Sequence, residues 1–135
     1  MVRDIADIID RMTIAKLKAE RIKDPENLKE HKAFELAISE FKVNHKDDSL
    51  DGFIDLLLSI NDNIWVLEAG LKSGKEELAN PTYLLDPKNE KALVKIGTTT
   101  ILIRNFNNLR VKTKNLINKI YNQGFQDKKQ NHLSE

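Results

Sequence analysis

The chain has 135 residues, 40% of them hydrophobic and 32% charged, a length suited to one domain that buries about two-thirds of its unfolded surface. It contains no cysteine, which excludes disulfides, thiolate metal sites and cysteine nucleophiles together and is compatible with the cytosol. The net charge of +1 conceals a split: residues 47–90 sum to −7, and residues 91–126 to +7 with no acid among them.

Only 5 Gly and 3 Pro stand against many Leu, Ile, Lys and Glu, a composition that favours helices. The opening "MVRDIADIID" puts Asp4, Asp7 and Asp10 where a signal peptide needs an apolar run. No stretch approaches the ~18 uninterrupted apolar residues of a membrane span, so a cytoplasmic protein without a membrane partner is expected.

In the first helix Ile5, Ile8, Met12, Ala15, Ala19 and Ile22 alternate spacings of three and four, the seam of a packing helix. "KDPEN" ends it, with Asp24 as a cap and Pro25 at the first position of the next helix. The second helix sets Phe34, Ala37, Ile38 and Phe41 on one face and fades in "VNHKDDS". Asp48 or Ser49 caps a third, whose seam is Leu50, Phe53, Leu57, Ile60, Ile64, Leu67 and Leu71, with Gly74 as the expected stop. "GKEELANPTYLLD", residues 74–86, breaks the pattern, and Asp86-Pro87 repeats the earlier start signal. A fourth helix is expected from about residue 88 to Asn122, roughly 50 Å long, with Leu102, Phe106, Leu109, Thr113, Leu116 and Ile120 as its seam. The β-branched "TTTILI" within it has no partner strand and is read as helix.

The pattern predicts an all-α fold, an antiparallel bundle of about four helices with a long C-terminal helix. One domain is expected over residues 1–122, followed by a flexible tail, "QGFQDKKQNHLSE", over 123–135. The acidic third and basic fourth helices should then lie side by side.

Polar residues flank these seams. Ile54, Asn61 and Glu68 recur every seven residues on the third helix, Asn107, Arg110 and Lys114 share a flank of the fourth, and Thr13, Lys16 and Glu20 one of the first. Charges at the margin of a core must pair, because an isolated buried charge is costly. Thr13, Lys18, Glu20, Asn61, Glu68, Asn107, Arg110 and Lys114 are therefore the candidate residues of one of two things. The first is a hydrogen-bonded network that fixes register. The second is a polar pocket in which Arg110 and Lys114 meet an anionic metabolite or sugar-phosphate and Glu20 or Glu68 orients it. Trp65, Ile14 and Leu17 leave the seams and form a candidate interface, so a homo-oligomer or a protein partner is expected.

Three stretches resemble, in order, an uncharacterised bacterial family of small helical proteins. "DRMTIAKLKAERI" with "KDPENL" is similar to that family's opening, which runs Asp, a basic residue, an apolar residue, Thr-Ile, a Lys-x-Glu-Arg-Ile run and an Asp-Pro turn. "NDNIWVLEAGLK" and "FNNLRVKTKNLIN" are similar to its two later motifs. The resemblance implies a helical fold and shared polar positions at Asp10, Arg11, Thr13, Lys18, Glu20, Arg21, Asn61, Trp65, Glu68, Asn107, Arg110, Lys114 and Asn118, and it implies no reaction. The chain departs where Asn108 and Leu109 replace an Asp-Arg pair, and in the long "NPTYLLDPKNEK" connection.

Enzyme signatures are sparse. "VRDIADIIDRMTIAKLKAER" resembles the first helix of an all-helical chorismate mutase, with Arg3, Arg21 and Lys32 suggestively placed, but "KVNHKDDSLDGFID" stands where an Asp-x-x-Arg-Glu region is required. The Glu-x-x-Glu and Glu-x-x-Asp pair of the helical nucleotide pyrophosphatases is missing. His31, His45 and His132 are too scattered for zinc, and there is no phosphate-cradling glycine loop or nucleophile elbow. No metal, cofactor or catalytic residue is expected. Lys91, Lys95, Arg104, Arg110, Lys112, Lys114 and Lys119 make nucleic-acid binding an alternative, weakened by the near-zero overall charge. The expectation is a helical accessory protein that self-associates and has no catalysis of its own.

Overall fold

The structure, a computed structural model, describes residues 3–45, 48–78 and 90–123, with backbone alone for 73–78. The described residues form four helices and no strand: α1 (Ile5–Arg21), α2 (Pro25–Asn44), α3 (Ser49–Leu78) and α4 (Glu90–Ile120). The expected tail from residue 124 and most of the expected connection between the last two helices lie outside the described residues. Among the described residues no helix is long and apolar enough to cross a membrane.

Local chemistry sets the helix ends. The Asp4 carboxylate accepts from the Asp7 N–H at 2.8 Å, and Asp24 accepts from the Glu26 N–H at 3.0 Å with Pro25 opening α2. Each satisfies one of the N–H groups that a helix start leaves unpaired. At the end of α4, Asn122 takes a left-handed φ of 54°. The Gln123 N–H then reaches the Asn118 carbonyl at 2.7 Å and the Asn122 N–H reaches Lys119 at 3.3 Å, the paired closure of a Schellman turn. Asparagine tolerates this backbone better than most residues.

Two expectations about α3 and α4 meet different fates. The "TTTILI" stretch is helical, and the Thr99 and Thr100 hydroxyls donate to the carbonyls of Lys95 and Ile96 at 2.7 and 2.9 Å. Gly74 does not stop α3, which continues to Leu78. A glycine costs a helix only about 1 kcal/mol, and it ends one only where the chain goes on to use its left-handed freedom.

The central element is α1, which packs against each of the other three helices. α3 and α4 form an antiparallel pair, with Ser49 Oγ 2.9 Å from the Tyr121 hydroxyl at one end. α1 runs along them, parallel to α3 and antiparallel to α4, so that Ala6 meets Asn118 and Asp10 meets Arg110. Ile5, Ile9, Leu50, Leu57 and Ile117 are fully buried where the three converge. α2 packs chiefly on α1 and contributes one buried residue, Ile38, with Phe34 and Phe41 half-buried against the core. Phe41 touches the end of α4 by placing its ring edge-on to Tyr121, 5.6 Å between centroids.

The third-helix seam is found as expected, but the fourth is turned. Of the expected seam, Thr113 is buried and Phe106 packs half-buried on the core, but Leu102, Leu109, Leu116 and Ile120 are 40% to 47% exposed, while Ile103, Asn107, Ile117 and Tyr121 are buried. A shift of one position turns an α-helix by about 100°. Arg110 and Lys114 lie on the inward flank, so the turn brings them to Asp10 of α1. Leaving a buried carboxylate without a cation costs several kcal/mol. Half-exposing a leucine costs about 1 kcal/mol, and the turn regains much of that by burying Ile103, Ile117 and Tyr121. The polar pairing wins. Ile22, assigned to the α1 seam, is 56% exposed because it already caps that helix.

Gly97 lies inside α4, and a Cβ added there would meet nothing within 4 Å. Gly97→Ala is therefore expected to stabilise the fold by about 0.5–1 kcal/mol, measured by urea unfolding with an unchanged m-value.

Candidate functional site

At the centre of the three-helix junction is Asp10, 1% exposed. It belongs to a stripe of α1 in which Ala6, Asp10, Thr13 and Leu17 follow at spacings of four, three and four, so the fold that buries the alanine and leucine buries the acid with them. Arg110 grips it as a fork: Nε donates to Oδ1 at 2.9 Å and to Oδ2 at 3.1 Å, and Nη2 donates to Oδ2 at 2.6 Å. From α3, Asn61 Nδ2 donates to Asp10 Oδ1 at 2.9 Å and to Thr13 Oγ at 2.8 Å. The Thr13 hydroxyl in turn donates to the Asp10 carbonyl at 2.7 Å. Lys114 Nζ lies 3.5 Å from Asp10 and 3.6 Å from Asp7, and Asp7 also meets Arg3 and Arg11.

Burial alone would push the Asp10 carboxyl up. The hydrogen bonds and charge of Arg110, the Asn61 amide and the charge of Lys114 outweigh it and hold the carboxyl below its ordinary value. Asp10 is therefore an ionised anchor, with its oxygens occupied by three donors, rather than a proton carrier.

Beside the anchor a cleft of about 220 Å³ opens between α1, α3 and α4. Ile14, Leu17, Ile64 and Trp65 give it apolar walls, and Asn61, Glu68, Asn107 and Arg110 line the rest. Trp65 is half-buried, and the Arg21 guanidinium sits 5.6 Å from its ring centre while pairing with Asp62. Asn107 is 5% exposed, and its side-chain amide makes no hydrogen bond to any described residue.

Of the eight polar candidates, Thr13, Asn61, Arg110 and Lys114 are drawn into the network around Asp10. Asn107 and Glu68 line the cleft. Lys18 and Glu20 take part in neither, and Glu20 is exposed on α1. The three residues read as an interface, Ile14, Leu17 and Trp65, are walls of the same cleft, with Leu17 4% exposed. Asp10, the hub, was a position of the resembling motif but not one of the eight candidates. Its signal was available in the 6–10–13–17 stripe, which runs beside the seam chosen for α1. Asn118 was likewise legible only as a motif position; its Oδ1 accepts from the Ala6 N–H at 3.2 Å, so α4 caps the start of α1. Among the described residues no three His, Asp or Glu side chains gather as a metal site.

No protein-family model matches the chain, and no curated protein or solved structure is significantly similar to it.

Asp10 is 2% exposed at its side chain and Arg110 30%, so removing either member strands the other in a largely dry site. Arg110→Ala is expected to cost about 3–5 kcal/mol and to lower the melting temperature by roughly 10 °C, read by circular dichroism. Because the folded-state pKa of Asp10 lies below its unfolded value of about 3.9, its contribution is complete above that pH and is lost as pH falls through the lower folded value. Acid unfolding curves of the wild type and Asp10→Asn should therefore converge only below about pH 4.

Proposed function

We propose that this chain is a helical interaction module that pairs with a second copy of itself along α4. The observation that carries the reading is the turned seam: Leu102, Leu109, Leu116 and Ile120 stand 40% to 47% exposed, with half-buried Phe106 among them. The exposed residues follow at spacings of seven, seven and four, so they lie along one stripe of α4, with Thr113 buried beside them. Val94 and Ile101 extend the apolar surface along the helix at 69% and 50% exposure. An apolar row of this length on a small protein marks an interaction surface.

A second copy is the occupant that fits the charges. Lys112 and Lys119 are exposed three positions beyond Leu109 and Leu116, and Asp55 is exposed beside Leu56 on α3, with Asp51, which meets Lys42, one turn before it. Each copy thus offers acidic and basic groups next to apolar contacts, which favours like meeting like in reversed orientation. The basic helix is less suited to nucleic acid than its composition suggests, since Arg110 and Lys114 are engaged by Asp10 and Asp7. Membership of the small bacterial helical family that the motifs resemble is part of the same proposal.

Sedimentation equilibrium tests the reading. The wild type should be a dimer at micromolar concentration, and Leu109→Glu combined with Leu116→Glu should give a monomer of unchanged helicity. A wild type that stays monomeric throughout that range ends the proposal.

A further inference from the structure

The α4 seam leaves the cleft between α1, α3 and α4 unexplained, and the cleft contains an anomaly of its own. Asn107 is 95% withdrawn from solvent, yet its amide makes no hydrogen bond to any described residue. Its side chain lines the cleft, so the hydrogen bonds of the amide are left to whatever occupies that space, solvent or ligand. The amide faces a cavity that the fold does not fill.

The surroundings narrow what could fill it. Trp65, Ile14 and Ile64 supply apolar walls, which suit a flat ring. The volume of about 220 Å³ gives room for a single substituted ring and is less than the usual cleft for a drug-sized ligand. Among the charged residues that line the cleft, Arg110 is taken up by Asp10 and Glu68 is negative, while Arg3, Arg11 and Lys114 gather round Asp7 outside that lining. An anion would meet no surplus positive charge there. What stays open is an amide with a donor and an acceptor side by side, whose complement is another amide-like edge.

We propose that this cleft binds a small uncharged planar molecule through a carboxamide or lactam edge paired with the Asn107 amide, its ring lying against Trp65. This site is independent of the α4 surface, and a monomeric protein would carry it equally well. No chemistry is performed on the ligand; the site recognises it.

The sole tryptophan of the chain is a wall of the cleft, so its emission reports on occupancy without interference. The full-length protein would be titrated with nicotinamide and uracil as neutral probes and with benzoate as a charged one. Trp65 fluorescence and the Asn107 side-chain amide resonances are followed together. Saturable changes with a neutral probe, and none with benzoate at the same concentration, are expected. Asn107→Leu should weaken that binding by about tenfold or more. The same variant should melt at about the same temperature as the wild type, because the amide makes no hydrogen bond to any described residue. A melting temperature lowered by several degrees would show that Asn107 serves the fold instead. Benzoate binding as well as the neutral probes, or no saturable change with any of the three, overturns the assignment equally.

Discussion

The fork between Arg110 and Asp10 is the constraint on which the rest of this molecule depends. A carboxylate at 1% exposure is tolerable only if cations and amides come to it. They come from two other helices, Arg110 and Lys114 from α4 and Asn61 from α3. That requirement fixes the rotation of α4, the register of α3 against α1, and the identity of the helix at the centre. Apolar packing alone would have left these choices nearly degenerate, since α4 carries aliphatic residues on more than one face. A directional polar cluster discriminates between alternatives that oil-like contacts cannot separate.

The same logic extends to the ends of the helices. α1 begins with N–H groups that its own Asp4 only partly satisfies, and Asn118 and Gln123 at the end of α4 supply acceptors for Ala6 and Ile5. The Schellman closure that positions Gln123 is therefore part of the tertiary structure as well as a local stop signal. α1, α3 and α4 are tied to one another through polar groups at both their middle and one end. α2, with a single buried residue and its edge contact on Tyr121, rests on that unit from outside. The weakest part of the described fold by this reasoning is α2, and the region of α1 around Asp10 the firmest.

Fixing α4 for the sake of Asp10 has two consequences on the surface. The leucines of the expected seam are turned outwards, which creates the apolar row proposed here as a contact between copies. Asn107 is turned inwards beside a space that no side chain fills, which creates the cleft. Both features come from one rotation, and both depart from what a sequence optimised only for monomer stability would show. Functional surfaces are where such departures are expected.

Much of the fold was legible in the sequence. The all-α class, the Asp24-Pro25 start of α2 and the seam from Leu50 to Leu71 follow from spacing and capping chemistry, which are local and act before any tertiary contact forms. The polar flank of Thr13, Asn61, Asn107, Arg110 and Lys114 could also be seen to belong near one core, because its members repeat with their helices. What periodicity could not supply was the choice between two adjacent faces of α4, each carrying aliphatic residues at helical spacing. Nor could it show that Asp10 is the acid the flank converges on, that Gly74 lies within a helix, or that Ile14, Leu17 and Trp65 wall a cleft. These depend on where three helices meet, and that is decided by the cost of burying one carboxylate and the few donors able to reach it.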